Sequence, residues 1–385
     1  MKCIVLLGDG MADEPIEALG GKTPLQYART PHMDRVAREG ACGLLRTIPE
    51  GMEAGSDIAN LSILGYDPRR YYTGRGPLEA ANIGVPLKGD DFAYRCNLVT
   101  AEDGTMQDFT AGHIGSDEGA AFIRALDARL SGARVYPGIS YRNLLVVPQG
   151  KGSTTTPPHD IAGQNYEQYL PVGGDREVLL SVMQMSRTLF FGHPLNNARV
   201  RAGRPPVTMV WPWSGGKKPL LPKFSEKYGR SGGMISAVDL LNGIARYAGM
   251  EVIRVPGATG YLDTDYQAKA RYAVNALKHL DFLYLHVEAI DEASHMGSLE
   301  EKIRAIERFD GVVGTILENF DGIVAVLPDH ATPLRIKTHE RSPVPFAVLG
   351  KGTDTCESYS EKEAEKGSFG TMSACRLLPL LFEEG

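Results

Sequence analysis

Apolar and polar positions fall into two repeating textures along the chain. Residues 3–7, Cys3-Ile4-Val5-Leu6-Leu7, form a short unbroken apolar run, the signature of a strand buried on both faces of a parallel sheet. Similar runs recur at 282–287 and 322–327, with shorter ones at 251–255 and 346–349. Between them, apolar residues return at helical spacing. Met33, Val36 and Ala37 mark a helix entered at Thr30-Pro31. Ile235, Val238, Leu241 and Ala245 predict a helix over 235–247, stopped by Gly249. Helices are predicted over 266–280 and 299–320, the latter with Ile303, Ile306, Val313 and Leu317 inward. A final helix is expected, capped by Thr371.

This alternation of strand and helix breaks between about Pro86 and Lys223. Residues 91–100 alternate as a strand with one exposed face, carrying Phe92, Tyr94, Cys96 and Leu98 on the other. Residues 135–137 and 141–147 extend an antiparallel sheet. A Gly/Thr/Pro-rich loop over 150–158 leads to His159-Asp160, and 175–197 reads as helix. The expected organisation is an α/β core from residues 1–86 and 224–385, with 87–223 as an inserted α+β domain.

Composition narrows the class without choosing a function. The 385 residues suffice for two domains, and 43% hydrophobic with 23% charged residues is ordinary for a soluble protein. A net charge of -6 and a pI near 5.9 argue against a nucleic-acid surface. The five cysteines form no CxxC pair, so neither a disulfide framework nor a zinc knuckle is expected, and a reducing cytoplasm fits. No signal peptide is expected, since the first residues already read as a strand, and no apolar run reaches the ~18 residues of a membrane span.

The chemistry gathers where the apolar runs end. Gly8-Asp9-Gly10 closes the first strand, at the end where open α/β sheets bind ligands. Locally, Asp9 also suits an Asx-turn. Asp291 and His295, four apart after 282–287, share one face of a helical turn. Asp329-His330 follows 322–327, and His339 comes nine residues later. Glu53-Ala54-Gly55-Ser56-Asp57 places a serine after a glycine, which exposes a hydroxyl; the same letters also describe a helix start with Ser56 as N-cap. Mixed carboxylate and imidazole ligands suit manganese or zinc more than calcium. Asp9, Asp291, Asp329 and a Ser56 alkoxide would offset the charge of two divalent ions. Arg75, between Gly74 and Gly76, fits a bidentate phosphate or carboxylate contact or a solvated loop.

Together, Gly8-Asp9-Gly10, Gly55-Ser56-Asp57, Leu61-Ser62-Ile63-Leu64-Gly65-Tyr66-Asp67-Pro68, Gly74-Arg75-Gly76-Pro77, Val255-Pro256-Gly257-Ala258-Thr259-Gly260, Asp291-Glu292-Ala293-Ser294-His295 and Asp329-His330 give the chain a family likeness. It resembles the cofactor-independent phosphoglycerate mutases of archaeal type, within the alkaline phosphatase superfamily, over nearly its whole length. The resemblance implies an alkaline-phosphatase-like core with a mainly parallel sheet flanked by helices, and the inserted domain as a lid. It implies one metal held by Asp9, Ser56, Asp329 and His330, and another by Asp291, His295 and His339. Manganese is the foremost ion, with zinc, magnesium or cobalt as alternatives. Ser56 would be the phosphorylated nucleophile, interconverting 3- and 2-phosphoglycerate. The insert would bring Arg95, Arg142, His159, Asp160, Asn196 and Arg199 to a small phosphorylated hydroxy acid.

The chain departs from many archaeal relatives at Trp213, where they have arginine, and at Ser231 and Asn242, where they commonly have lysine. Ile290 and Met296 replace more polar residues. These departures resemble a bacterial branch proposed to phosphorylate homoserine. A phosphotransferase or phosphatase acting on another small alcohol, and a non-catalytic metal-binding protein, are the competing readings. The oligomeric state is left open.

Overall fold

The computed structural model describes residues 1–383 and divides into two units. The first comprises Met1–Tyr72 and the chain from Leu220 onward; the second is Thr73–Pro219. The second unit begins at Thr73 because the Arg75–Ile83 helix packs on its sheet. A Cβ on Gly76 would stand only 2.1 Å from the Ala93 carbonyl oxygen.

The first unit is built on an eight-stranded sheet. Its strands run in the order Glu251–Val252, Gly232–Ile235, Phe282–Val287, Cys3–Gly8, Ile323–Leu327, Val344–Leu349, Ala41–Arg46 and Thr371–Ser373. All pairings are parallel except the two made by Val344–Leu349. The strands Cys3–Gly8, Phe282–Val287 and Ile323–Leu327, apolar but for His286, lie side by side at the centre, every residue buried. Helices Pro31–Glu39, Tyr266–Ala276 and Leu299–Asn319 bury Met33, Ala273 and Ile306 in the cluster that holds Ile4, Leu6 and Leu285.

Parallel neighbours end at the same edge, so the loops after Cys3–Gly8, Phe282–Val287, Ile323–Leu327 and Ala41–Arg46 all open there. The antiparallel strand Val344–Leu349 begins at that edge, which brings the segment preceding it to the same place.

Several expected elements change. Ile235 belongs to a strand, and the helix starts only at Asp239. The two glycines of Gly232–Ile235 hide it from any apolar pattern, yet they are needed: a Cβ on Gly233 would meet Leu280 at 2.4 Å. Ala41–Arg46, interrupted by Gly43, is a strand the pattern does not reveal. Thr371 caps nothing; Thr371–Ser373 adds a short strand beside Ala41–Arg46, and the last helix is Leu377–Phe382. Only Glu251–Val252 of the expected 251–255 strand pairs.

The second unit carries a five-stranded antiparallel sheet around the long strand Phe92–Glu102, which pairs with Arg142–Val147, Met209–Lys217 and Thr105–Asp108. This strand is buried on both faces, contrary to its alternating pattern. Tyr94, Cys96 and Leu98 pack under helices Ser116–Asp127 and Arg176–Phe190, while Val99 and Ala101 pack with Trp211 and Trp213. The expected 175–197 helix is two helices, broken where Pro194 starts Pro194–Arg201.

Candidate active site

Ser56 is the first residue of the helix Ser56–Ile63. The cap position is Gly55, in extended backbone, and no side chain caps this end. The serine hydroxyl is therefore not engaged as an N-cap. It faces His330, with Oγ 3.1 Å from Nε2. One turn along, Asn60 Nδ2 donates to the Ser56 carbonyl oxygen at 2.8 Å and to Asp329 Oδ2 at 2.9 Å. The Tyr284 hydroxyl donates to Asn60 Oδ1.

Asp9, Asp329 and His330 are buried and present ligand atoms within 4.8 Å of one another. His330 Nε2 is 3.4 Å from Asp9 Oδ1 and 3.5 Å from Asp329 Oδ2. Asp329 Oδ1 accepts from the backbone N–H groups of Gly10 and His330. Gly10 has φ +61, and a Cβ there would stand 2.3 Å from Asp291 Oδ1, so both conformation and space call for glycine. Asp9 Oδ2 takes His286 Nε2 at 2.9 Å, whereas Asp9 Oδ1 has no hydrogen-bond partner.

A second cluster adjoins the first. Asp291, His330 and His339 bring ligand atoms equally close. Asp291 Oδ2 is 2.9 Å from His295 Nε2 and 3.5 Å from His339 Nε2. Both residues of the former pair lie on the short helix Ala289–His295, as their spacing requires. The two imidazoles converge, with Nε2 atoms 3.1 Å apart. All seven residues expected at the metals thus meet, and His330 stands between the two groups.

The electrostatics of this edge follow from burial and from the charges that face one another there. Burial, then the charges of Asp329, Asp291 and Glu288, push the Asp9 carboxyl well above its ordinary range. Burial lowers His330 despite the nearby Asp329. For Asp291, burial acts upward but is outweighed by His295 and His339, leaving the carboxyl well below normal. Hydrogen bonding to Asp291 raises His295 to about 9. Buried carboxylates facing one another, with one orphaned oxygen and converging ring nitrogens, fit divalent cations in donor chemistry and in charge.

Sequence reasoning did not single out Asn60, Tyr284, His286 or Thr332. Asn60 is four residues beyond Ser56 on the same helix, and His286 is a polar residue inside an otherwise apolar strand; both signals are local. Tyr284 carries none.

Within the second unit, some of the residues expected to meet substrate cluster and others do not. Arg95 stacks over Trp213, its guanidinium carbon 4.5 Å from the ring centre, and Nε lies 3.3 Å from Glu79. Burial lowers the Arg95 pKa; Glu79 opposes this, while Arg75 and Arg142 reinforce it. The His159 ring meets Trp213 edge-on and lies 3.6 Å from Asp160. Its pKa is lowered by burial against the pull of Asp160, with Arg75 and Arg95 adding to the lowering. Arg75, Arg95, Arg142 and His159 therefore form a mainly cationic group.

Asn196 and Arg199 have a different role from the one expected. Asn196 bonds the backbone of Phe190 and Val207. Arg199 is fully buried, held by the carbonyls of Pro205 and Ala111 and by Glu118 at 2.7 Å. Their polar atoms tie the Pro194–Arg201 helix into its own unit.

A mainly parallel α/β sheet whose carboxyl edge surrounds a serine with carboxylates and imidazoles has the donor chemistry of a metal-dependent α/β enzyme. Comparison with known proteins narrows it. The family model of 2,3-bisphosphoglycerate-independent phosphoglycerate mutase matches residues 37–196. An enzyme of that name from Methanothrix thermoacetophila is 51% identical, covering 99% of both chains. Among solved structures, a protein from Pyrococcus horikoshii gives a TM-score of 0.86 at 31% identity, covering 100% of this chain and 98% of its own. A cofactor-independent phosphoglycerate mutase from Thermoplasma acidophilum gives 0.68 at 28% identity, covering 99% of each. The chain belongs to the 2,3-bisphosphoglycerate-independent phosphoglycerate mutase family.

Proposed function

We propose that this chain is a phosphoglycerate mutase that interconverts 3-phosphoglycerate and 2-phosphoglycerate through a phosphoserine at Ser56. The observation that carries the reading is the uncapped Ser56 hydroxyl, 3.1 Å from His330 Nε2 within the Asp9 and Asp329 cluster. The names of relatives about half identical over their full length support the substrate pair.

Asp9, Ser56, Asp329 and His330 would hold one divalent cation, and Asp291, His295 and His339 a second, with manganese foremost. Such ions, when bound, acidify a coordinated oxygen and neutralise phosphate charge. In the first transfer, Ser56 Oγ forms a bond to phosphorus as the bond from phosphorus to the substrate oxygen breaks. The proton that leaves Ser56 passes to that oxygen, and the glycerate formed reorients. Its other hydroxyl then attacks the phosphoserine, the bond from phosphorus to Ser56 Oγ breaks, and the proton of the attacking hydroxyl returns to Ser56, giving the isomer. Asn60, by bridging the Ser56 backbone and Asp329, keeps the nucleophile in register. Arg75, Arg95, Arg142 and His159 with Asp160 are the groups suited to the phosphate and carboxylate charges. A glycolytic substrate supports a cytoplasmic location.

A substrate panel with added manganese tests the reading: 3-phosphoglycerate, simple phosphomonoesters, and homoserine with ATP. Formation of 2-phosphoglycerate with little free phosphate is expected. Phosphohomoserine as the main product, or phosphate release alone, would reject it in favour of transfer to another alcohol or to water.

A further inference from the structure

Thr332 follows the His330 ligand by two residues, and its fully buried hydroxyl touches both clusters. Oγ1 donates to Asp291 Oδ1 at 2.5 Å and lies 3.1 Å from His330 Nδ1. A hydroxyl has one proton to give, and an ionised carboxylate can only accept. Asp291 takes that proton's hydrogen bond on one oxygen and faces His295 Nε2 with the other. The hydroxyl must then accept from His330, whose ring proton is placed on Nδ1. Nε2 is left with its lone pair toward Ser56 Oγ, Asp9 and Asp329.

We propose that Thr332 is a positioning residue that selects the Nδ1–H tautomer of His330 and thereby links the Asp291 cluster to the Ser56 cluster. Its own position is fixed from three sides. Its amide donates to the Ala12 carbonyl at 3.2 Å. Its carbonyl accepts from Lys302 Nζ at 2.9 Å, and that wholly buried ammonium is paired with Asp13 at 2.8 Å. The Asp9 loop and the long Leu299–Asn319 helix thus hold the Thr332 backbone, while the Asp291 helix takes its hydroxyl. Partners of this kind orient imidazole ligands, and removing one typically costs ~10- to 100-fold in metal affinity.

The inference rests on the metal-centre reading above, so the test separates the two. Metal-free protein with isotope-labelled histidine is examined by long-range proton–nitrogen correlation, with His330 assigned by the loss of its signals in His330→Gln. The wild type is expected to show the Nδ1–H form. Thr332→Val should move His330 away from that form and weaken Mn2+ binding about 10- to 100-fold, and Thr332→Ser should restore both. An Nε2–H ring in the wild type, or an unchanged tautomer and Mn2+ affinity in Thr332→Val, would overturn the proposal. Should Thr332→Val fail to fold, the wild-type tautomer and its retention in Thr332→Ser decide the matter. A wild type with the Nδ1–H ring that binds no divalent cation would sink the metal reading while leaving the tautomer assignment standing.

Discussion

His286 Nε2, on the strand Phe282–Val287, lies 2.9 Å from Oδ2 of Asp9, the residue that follows the neighbouring strand Cys3–Gly8, and both side chains are buried. The ring's other nitrogen faces the Ser236 hydroxyl at 3.3 Å. Burial holds the His286 pKa down at about 3, so the ring is neutral, and an ionised Asp9 accepts its proton from Nε2. One Asp9 oxygen is thereby fixed and the other left for a cation. His286→Leu should keep the fold but lower Mn2+ affinity by about 10- to 100-fold. Calorimetric titration checks this; unchanged affinity would remove His286 from the site.

Ser56→Ala should leave thermal stability within about 1 kcal/mol of wild type, because no cap hydrogen bond is lost. Turnover should drop by several orders of magnitude, since the covalent route disappears. Rapid quenching with labelled substrate and peptide mapping should find phosphate on Ser56 in the wild type alone. Normal turnover in the variant, or label on another residue, would refute the mechanism.

Removing divalent metal with a chelator should abolish activity, and Mn2+ should restore it. Zinc, magnesium and cobalt are to be compared in the same assay. The ground is the group of Asp9, Asp329 and His330, which leaves a buried carboxylate oxygen without a partner. Full activity in rigorously metal-free protein would contradict the assignment.

Arg95 and Arg199 should separate cleanly. Arg95→Met removes a cation beside Arg75 and Arg142, and the lost charged hydrogen bonds should raise KM about 10- to 100-fold. Arg199→Met leaves two carbonyls without their buried partner and Glu118 with Arg204 alone, and a loss of about 3 kcal/mol of stability is expected. The folded fraction should keep its KM. Denaturant unfolding and steady-state kinetics on both variants distinguish these outcomes; exchanged phenotypes would overturn both roles.

Lys269 gives a pH signature. Its buried ammonium donates to the His286 carbonyl at 3.0 Å, and burial, partly offset by Glu288, lowers its pKa from 10.5 to about 8. The unfolded chain therefore binds more protons between those values, and stability from this group rises with pH across the window. Relative to Lys269→Met, the wild type should gain up to about 3 kcal/mol between pH 8 and 10.5. Parallel stability–pH curves for the two proteins would show that the amine does not titrate there.

What the sequence determined by itself is local. Apolar runs, interrupted only by His286, named the three central strands, because only strands covered on both faces tolerate them. The spacing of Asp291 and His295 placed both on one helical face, and Asp9, Asp329 and His330 could be read as strand-end residues. Tertiary structure decided who stands opposite whom. Ser56 turns its hydroxyl to the cluster because Gly55 takes the cap position and His330 arrives from a distant loop. The strands Ala41–Arg46 and Gly232–Ile235 depend on partners across the sheet and on glycines fitted to close neighbours, neither of which leaves a periodic trace. Arg199 is a polar residue like Arg95 in the sequence, yet the Ala111 carbonyl and Glu118 absorb it while Arg95 remains beside other cations. Periodicity records which face a residue turns inward; the contacts it makes there are set by chain segments far away, whose arrangement only the packed sheet fixes.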